Sequence, residues 1–376
     1  MRILITTDIY KTVTNGVTES VKNLYDELKE FGHEVKMLTV SDKTSSYADG
    51  DVICIGSIPL PIYQGIRIPV AGCCDLIKCI IDWNPDIIHT QSEFFTYQYA
   101  LYISKKTGAP IMHTYHTLYE DYVNYVIPWR WLGVKIVKKF IKYRLKDAKR
   151  VIVPSKKIAK MLNKYPISSP ISVIPTGIDL KKHSRKKTGN VVVRRGDIDG
   201  MFLLVYLGRL SKEKNIEEII VYFTSAVKIF PEIALLIVGD GPQREALKKL
   251  TENLGVEDRV LFTGQVSPDQ VHEYYQSGDL FVSASTSETQ GLTYIEACAN
   301  GLPLLCRSDE VLCGVIYEGE NGFTYKNEDE FLLYLRKIIE NPFWRSKAAE
   351  KSRNVAKLFD KEDFAKSVEK LYKENI

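Results

Sequence analysis

Short apolar runs alternate with stretches of helical spacing along most of the chain. Arg2–Thr7 is an apolar run, and Val17–Phe31 follows it with Val17, Val21, Leu24 and Leu28 on one helical face. Gly32-His33 closes that helix, and Glu34–Val40 reads as the next strand. Val52–Ile55, Asp86–His89, Ala109–His113 and Val151–Pro154 are further strands, with helical patterns between most of them. Such alternation predicts a parallel sheet covered by helices.

The stretch Thr176–Gly200 breaks the pattern. Lys181-Lys182-His183-Ser184-Arg185-Lys186-Lys187 and Arg194-Arg195-Gly196 are polar, basic and without apolar periodicity, as expected of a linker or exposed loop. The alternation then restarts. Phe202–Leu207, Ala234–Val238, Val260–Phe262, Leu280–Ser283 and Pro303–Cys306 read as strands. Asn215–Phe230, Gln243–Leu254, Pro268–Gln276 and Leu292–Asn300 read as helices, and Asp329–Ile376 as an amphipathic helical tail. The fold class expected is α/β, with two Rossmann-like domains in tandem and a hinge near 178–200. No internal repeat is evident. Ligands of open α/β sheets bind outside the carboxyl ends of the strands, which places the expected site in a cleft between the domains.

Length agrees: 376 residues fit two domains at roughly 150 residues each. With 45% hydrophobic and 26% charged residues the chain is neither disordered nor collagenous. No apolar run approaches the ~18 residues of a spanning helix, and Met1-Arg2-Ile3-Leu4-Ile5 lacks a signal-peptide layout. The seven cysteines are scattered, contain no Cys-x-x-Cys and include the adjacent Cys73 and Cys74. A reduced, cytoplasmic compartment is the expectation.

Charge is less even. The chain carries +4, yet Trp129–Arg150 holds nine Lys/Arg against Asp147 alone, a local +8 that leaves about −4 elsewhere.

Three features of the second half converge on an anionic ligand. Gly208-Arg209-Leu210-Ser211-Lys212-Glu213-Lys214-Asn215 follows a strand directly, and a glycine there admits close approach to the backbone. Arg209 and Lys214 bring two cations to one spot, forked and point-like respectively; the alternative is a solvated charged loop. In Glu288-Thr289-Gln290-Gly291-Leu292-Thr293-Tyr294-Ile295-Glu296, a polar loop leads to Gly291, which opens a helix. Free N–H groups at that start suit a diphosphate, and Glu288 and Glu296 can accept from vicinal diols. Otherwise they are a loop charge and a surface helix residue. Gly239-Asp240-Gly241-Pro242 is a third turn at a strand end, equally readable as a plain turn.

In this order, these elements resemble the C-terminal half of retaining glycosyltransferase family 4 enzymes of GT-B fold, and the resemblance covers nearly the whole chain. It implies that Arg209 and Lys214 bind the diphosphate of a nucleotide sugar, Glu296 the ribose and Glu288 the transferred hexose. Gly239 and Asp240 join the donor site, with backbone N–H groups near Gly291 and Leu292. In the first half, Asn15-Gly16-Val17 supplies Gly16, implied to approach the donor phosphates and otherwise a simple helix start. Tyr115-His116-Thr117 supplies His116, the family histidine beside the sugar; its alternative is a structural histidine. His116, Glu288, Arg209 and Lys214 are the expected catalytic set. His113 reads as core, and Asp8 faces either acceptor or loop. The domains implied are 1–180 with a returning helix at about 356–376 for acceptor and membrane, and 181–355 for the donor.

No Asp-x-Asp element is read at a strand end and no paired His/Asp ligand spacing is found, so no metal site or cofactor is implied, although magnesium is compatible with the chemistry. The cations and the helix start would stabilise the leaving diphosphate. In Trp129–Arg150, Trp131, Val134, Val137, Ile141 and Leu145 form one helical stripe flanked by lysines. Trp129, Trp131, Lys135, Lys138, Lys139 and Lys142 are expected to dock on an anionic membrane surface; the alternative is a core helix with a basic outer face. No nucleic-acid motif accompanies them.

His116–Val126, Asp86–Phe94, Pro175-Thr176-Gly177-Ile178-Asp179 and Ser285–Tyr294 resemble a narrower subgroup, the bacterial 1,2-diacylglycerol 3-glucosyltransferases. That implies a UDP-sugar donor, glucose expected, a diacylglycerol acceptor and peripheral attachment to the cytoplasmic face of the membrane. The region 40–75, Ser57–Gly65 especially, matches no element of that group. Other lipid-linked or protein acceptors share the chemistry. A nucleotide-sugar epimerase and a non-catalytic membrane subunit share the architecture. A dinucleotide oxidoreductase is disfavoured because neither first βα turn carries Gly-x-Gly-x-x-Gly.

Overall fold

A computed structural model describes residues 1–10, 15–60, 67–70, 75–122, 129–165, 167–183, 198 and 200–376. Cys73, Cys74, residues 61–65, residues 123–126 and the basic segment 184–197 therefore lie outside the described residues. The chain divides into two compact units, Met1–Ile178 with Lys361–Ile376, and Asp179–Asp360.

The strands of the first unit are β1 (Arg2–Thr7), β2 (Glu34–Val40), β3 (Tyr47–Asp49), β4 (Val52–Ile55), β5 (Ser57–Pro59), β6 (Arg67–Pro69), β7 (Ile87–Thr90), β8 (Ile111–Thr114), β9 (Arg150–Val153) and β10 (Ile171–Val173). Eight of them form one sheet in the order β10-β9-β8-β7-β1-β2-β4-β3, and β5 and β6 pair separately. All neighbours in the large sheet run parallel except β3 against β4. The central strands β1, β7 and β8 are buried along nearly their whole length, as expected where helices cover both faces, with His and Thr at the carboxyl ends of β7 and β8. Ile3 and Ile5 point into one core with Val21, Leu24 and Leu28, while Leu4 points into the opposite one with Ile77, Ile80 and Ala100. Phe364, Val368 and Tyr372 of the helix Lys361–Asn375 complete the first of these cores. Fully burying side chains such as Phe364 and Val368 contributes about 1.5–3 kcal/mol each.

The second unit carries β11 (Phe202–Leu207), β12 (Ile233–Val238), β13 (Val260–Gly264), β14 (Leu280–Ser283), β15 (Leu304–Arg307) and β16 (Gly322–Tyr325). They form a fully parallel sheet in the order β13-β12-β11-β14-β15-β16. Leu204 and Tyr206 face one core, and Leu203 and Val205 the other. The helical tail is three helices, Glu328–Ile339, Pro342–Ala356 and Lys361–Asn375. Pro342 cannot continue a helix but fits the first turn of one, and the Asn341 side chain accepts from Trp344 N–H at 2.9 Å. Among the described residues no helix is long and apolar enough to cross a membrane.

In each sheet the chain order reverses at one place, between β1 and β7 and between β11 and β14. Loops diverge there at the carboxyl ends and leave a crevice.

Candidate active site

In the second unit the loops after β11 and β14 border that crevice, and they hold the predicted cations and carboxylates. Lys214 Nζ lies 2.5 Å from Glu288 Oε1, joining one loop to the other. Both side chains are about four-fifths buried, at 20% and 17% exposure, so their attraction is screened less than a surface pair's. Ser287 Oγ donates to the Glu213 carbonyl at 3.2 Å and adds a second tie. Arg209 is exposed, and its carbonyl accepts from Tyr206 OH at 3.2 Å.

The turn after β12 buttresses the first of these loops. Gly239 has φ 131°, and a Cβ on it would stand 2.0 Å from the Gly208 carbonyl oxygen. A Cβ on Gly241 would meet the Leu210 carbonyl at 2.4 Å. Backbone presses on backbone here, which gives the glycines a packing role. Asp240 accepts from Gly241 N–H at 2.7 Å and pairs with Arg244 at 3.2 Å.

Gly291 opens the helix Leu292–Ala299 at φ 77°, with no side chain capping its N-terminus. Tyr294 occupies the space a side chain on residue 291 would need, 2.3 Å from the ideal Cβ. The first N–H groups of the helix, Leu292 among them, therefore keep their partial positive charge at the strand end. One turn in, Glu296 accepts from Tyr275 OH at 2.8 Å. Burial raises its carboxyl above the usual range, against the opposing effects of Tyr275 and Lys182.

The first unit builds its crevice from imidazole, amide and hydroxyl groups around the carboxyls of Glu93 and Asp8. Asn15 caps the helix Gly16–Glu30 by accepting from Val17 and Thr18 N–H, each at 3.0 Å, and so places exposed Gly16 in the first turn. His116, half-buried past β8, has Nε2 2.7 Å from Gln91 Oε1. Burial pushes its pKa down to about 4, with Glu93 opposing and His113 adding to the shift. It is a neutral imidazole at pH 7. His113 is fully buried between Thr90 (2.7 Å) and Glu93 (3.2 Å), and Tyr119 OH donates to Glu93. Asp8 Oδ1 accepts from Thr96 N–H at 2.7 Å, while Oδ2 is buried with no partner among the described residues; burial raises this carboxyl to about 6. Gln91 and Glu93 were missed as site residues by sequence reasoning. The signal was available: Thr90-Gln91-Ser92-Glu93 is a polar run at the carboxyl end of a buried strand.

One Asp-x-Asp element does stand at a strand end, Asp49-Gly50-Asp51, after the unpredicted β3. It precedes β4, at the amino edge of the parallel strands, and Asp51 is paired with Lys29 at 2.7 Å. Among the described residues no group of three or more His, Cys, Asp or Glu is placed to hold a metal ion.

The basic segment forms the helix Arg130–Leu145. Ile141 and Leu145 are fully buried, and Val137 packs on the same core. Trp131 leaves this stripe: it is 66% exposed, as Trp129 is 64%. Lys135 lies over the Trp131 ring and Lys146 over Tyr143, while Lys139, Lys142 and Ile136 also face outward. Lys138 instead turns to Glu120 at 3.7 Å and lies over the Tyr165 ring.

Comparison with known proteins identifies the family and the fold. Residues 14–182 match the description Glycosyltransferase Family 4, and residues 194–359 match Glycosyl transferases group 1. The chain is 36% identical to an α-monoglucosyldiacylglycerol synthase of Streptococcus pneumoniae, over 91% of this chain and 79% of that one. It is 31% identical to an α-monoglucosyldiacylglycerol synthase of Acholeplasma laidlawii, over 99% and 96%. Among solved structures, sucrose-phosphate synthase from Thermosynechococcus elongatus superposes with a TM-score of 0.77 at 20% identity, covering 99% of this chain and 98% of that one. Anabaena HepE, solved in complex with UDP and glucose, gives 0.75 at 17%, each chain covered in full. The chain is a glycosyltransferase of GT-B fold and belongs to glycosyltransferase family 4, in the group that includes the α-monoglucosyldiacylglycerol synthases.

Proposed function

We propose that the protein transfers glucose from UDP-glucose to diacylglycerol, with retention at the anomeric carbon, at the cytosolic membrane face. The observation that carries this reading is the pair Lys214–Glu288 beside the helix start at Gly291, in a chain with diacylglycerol-glucosylating relatives. As the glycosidic C–O bond to UDP breaks, charge grows on the diphosphate. Arg209, Lys214 and the N–H groups from Leu292 onward neutralise it from fixed positions, and no metal ion or cofactor is needed. Glu296 holds the ribose diol. Glu288, oriented by Lys214, accepts from hexose hydroxyls, and His116 is the histidine assigned to the transferred sugar. Gly16, Gly239 and Asp240 border the donor. The acceptor hydroxyl attacks on the face the diphosphate leaves, and its proton passes to a departing phosphate oxygen. No carboxylate is assigned as a nucleophile.

The basic helix supports peripheral attachment. Lys135, Lys139 and Lys142 meet anionic headgroups, and Trp129 and Trp131 enter the interface.

Labelled UDP-glucose and UDP-galactose, offered with diacylglycerol, a glycolipid or buffer alone, test the reading. Label from UDP-glucose is expected in an α-glucosyl lipid with diacylglycerol only, unchanged by a chelator. Transfer confined to another acceptor, or release of free glucose only, would reject it. Replacing Lys135, Lys139 and Lys142 together with Glu should weaken partitioning onto anionic vesicles about a hundredfold, at about 1 kcal/mol per charge. Lys138→Glu should change it little, and vesicle flotation reads the difference.

A further inference from the structure

Behind His116 runs a buried chain of polar groups that the transfer chemistry does not use. Tyr372 OH, on the helix Lys361–Asn375, lies 2.6 Å from His89 Nδ1. His89 Nε2 meets Thr114 Oγ1 at 2.7 Å and the Gln91 side-chain nitrogen at 3.3 Å. Gln91 Oε1 reaches His116 Nε2 at 2.7 Å. His89 and Tyr372 are fully buried and Gln91 is 3% exposed.

A carboxamide has one accepting end and one donating end. Its oxygen faces His116, so His116 Nε2 carries the hydrogen. Its NH2 faces His89, so His89 Nε2 is the lone pair and His89 donates through Nδ1 to the Tyr372 oxygen. Among the described residues His116 Nδ1 has no hydrogen-bond partner. We propose that Gln91 is a positioning residue for the transfer: clamped by His89, it holds His116 as the Nε2–H tautomer and presents Nδ1 as an acceptor to a hydroxyl of the bound hexose. This rests on the hexosyl-transfer reading above. Glu93 and His113 are the charged or titratable groups beside His116, together with His89 behind Gln91. Burial keeps both His89 and His116 neutral, so His116 Nδ1 stays a lone pair able to accept.

Two variants and one spectrum decide the matter. Gln91→Met fills the same space without either hydrogen bond. It should lower kcat roughly tenfold to a hundredfold, the cost of a misplaced contact group, and leave the KM for UDP-glucose within about twofold. Gln91→Glu keeps the accepting oxygen and should restore much of kcat. Its carboxylate favours imidazolium, so an acid limb should enter the pH–rate profile between about pH 5 and 7, absent from the parent. Histidine-labelled 15N spectra of the parent protein should show His116 as the Nε2–H tautomer. An unaltered kcat in Gln91→Met, no acid limb in Gln91→Glu, or His116 as the Nδ1–H tautomer would each overturn the proposal. If Gln91→Met does not fold, the glutamate variant and the parent spectrum still decide. Failure of the hexosyl-transfer reading looks different: the parent protein itself would not transfer sugar.

Discussion

The two crevices sit at equivalent places in two parallel sheets and use opposite chemistry. That of the second unit is lined by glycines and formal charges, with Lys214 against Glu288 and Arg209 exposed. That of the first unit is a buried network of imidazole, amide and hydroxyl groups, with His89 and His116 held neutral and Glu93 tied to His113 and Tyr119. An anionic donor needs cations that remain reachable. A neutral sugar needs acceptors held still, and burial with every amide end satisfied does that. Equivalent topology therefore fixes where a ligand can approach, while the residues after each strand decide what kind.

The largest test of this contrast is on the charged side. Lys214→Ala and Glu288→Ala should each lower kcat about a hundredfold to a thousandfold, with far-UV circular dichroism unchanged. Near-full activity in either would erase the distinction. Gly239→Ala asks whether the charged side depends on glycine. With φ at 131° and a carbonyl oxygen 2.0 Å from the new methyl, it should cost about 2–4 kcal/mol, read as a fall in thermal midpoint.

The smallest expected effect is on the neutral side. His116 is held down to about 4 and His89 to about 3, against 6.5 in the unfolded chain. The unfolded state thus binds protons first, and stability is lost as pH falls from 6.5 towards those values. Asp8, raised from 3.8 to about 6, acts in the opposite sense between those two values. The wide gaps at the two histidines outweigh Asp8 and Glu296, whose raised carboxyls oppose them, so the urea midpoint should fall from pH 7 to about pH 4.5. It should fall less in His89→Asn. A midpoint independent of pH would show that the network is not neutral.

The sequence was readable where one residue type carries the signal alone. Arg2–Thr7, Glu34–Val40, Phe202–Leu207 and Leu280–Ser283 stand as predicted, because strands buried on both faces are apolar runs. β3, β5, β6, β10 and β16 were missed: each has only three or four residues and mixed polarity, and neighbouring strands rather than internal pattern define them. Lys214 and Glu288 stood out as charges in polar loops after apolar strands. The stripe containing Trp131 was overextended, since helical spacing does not say where a helix leaves its core. Gln91 was silent for another reason. A neutral amide takes its meaning from its partners, and the chain behind it closes on Tyr372, 283 positions from His89.

The helix Lys361–Asn375 also bears on how the protein is made. The second unit is continuous, Asp179–Asp360, and is free to fold as it leaves the ribosome. The first unit starts emerging earlier yet lacks Phe364, Val368 and Tyr372 until translation has passed through all of its neighbour. For that interval an apolar surface beside β1 stays uncovered, a natural client surface for chaperones during synthesis.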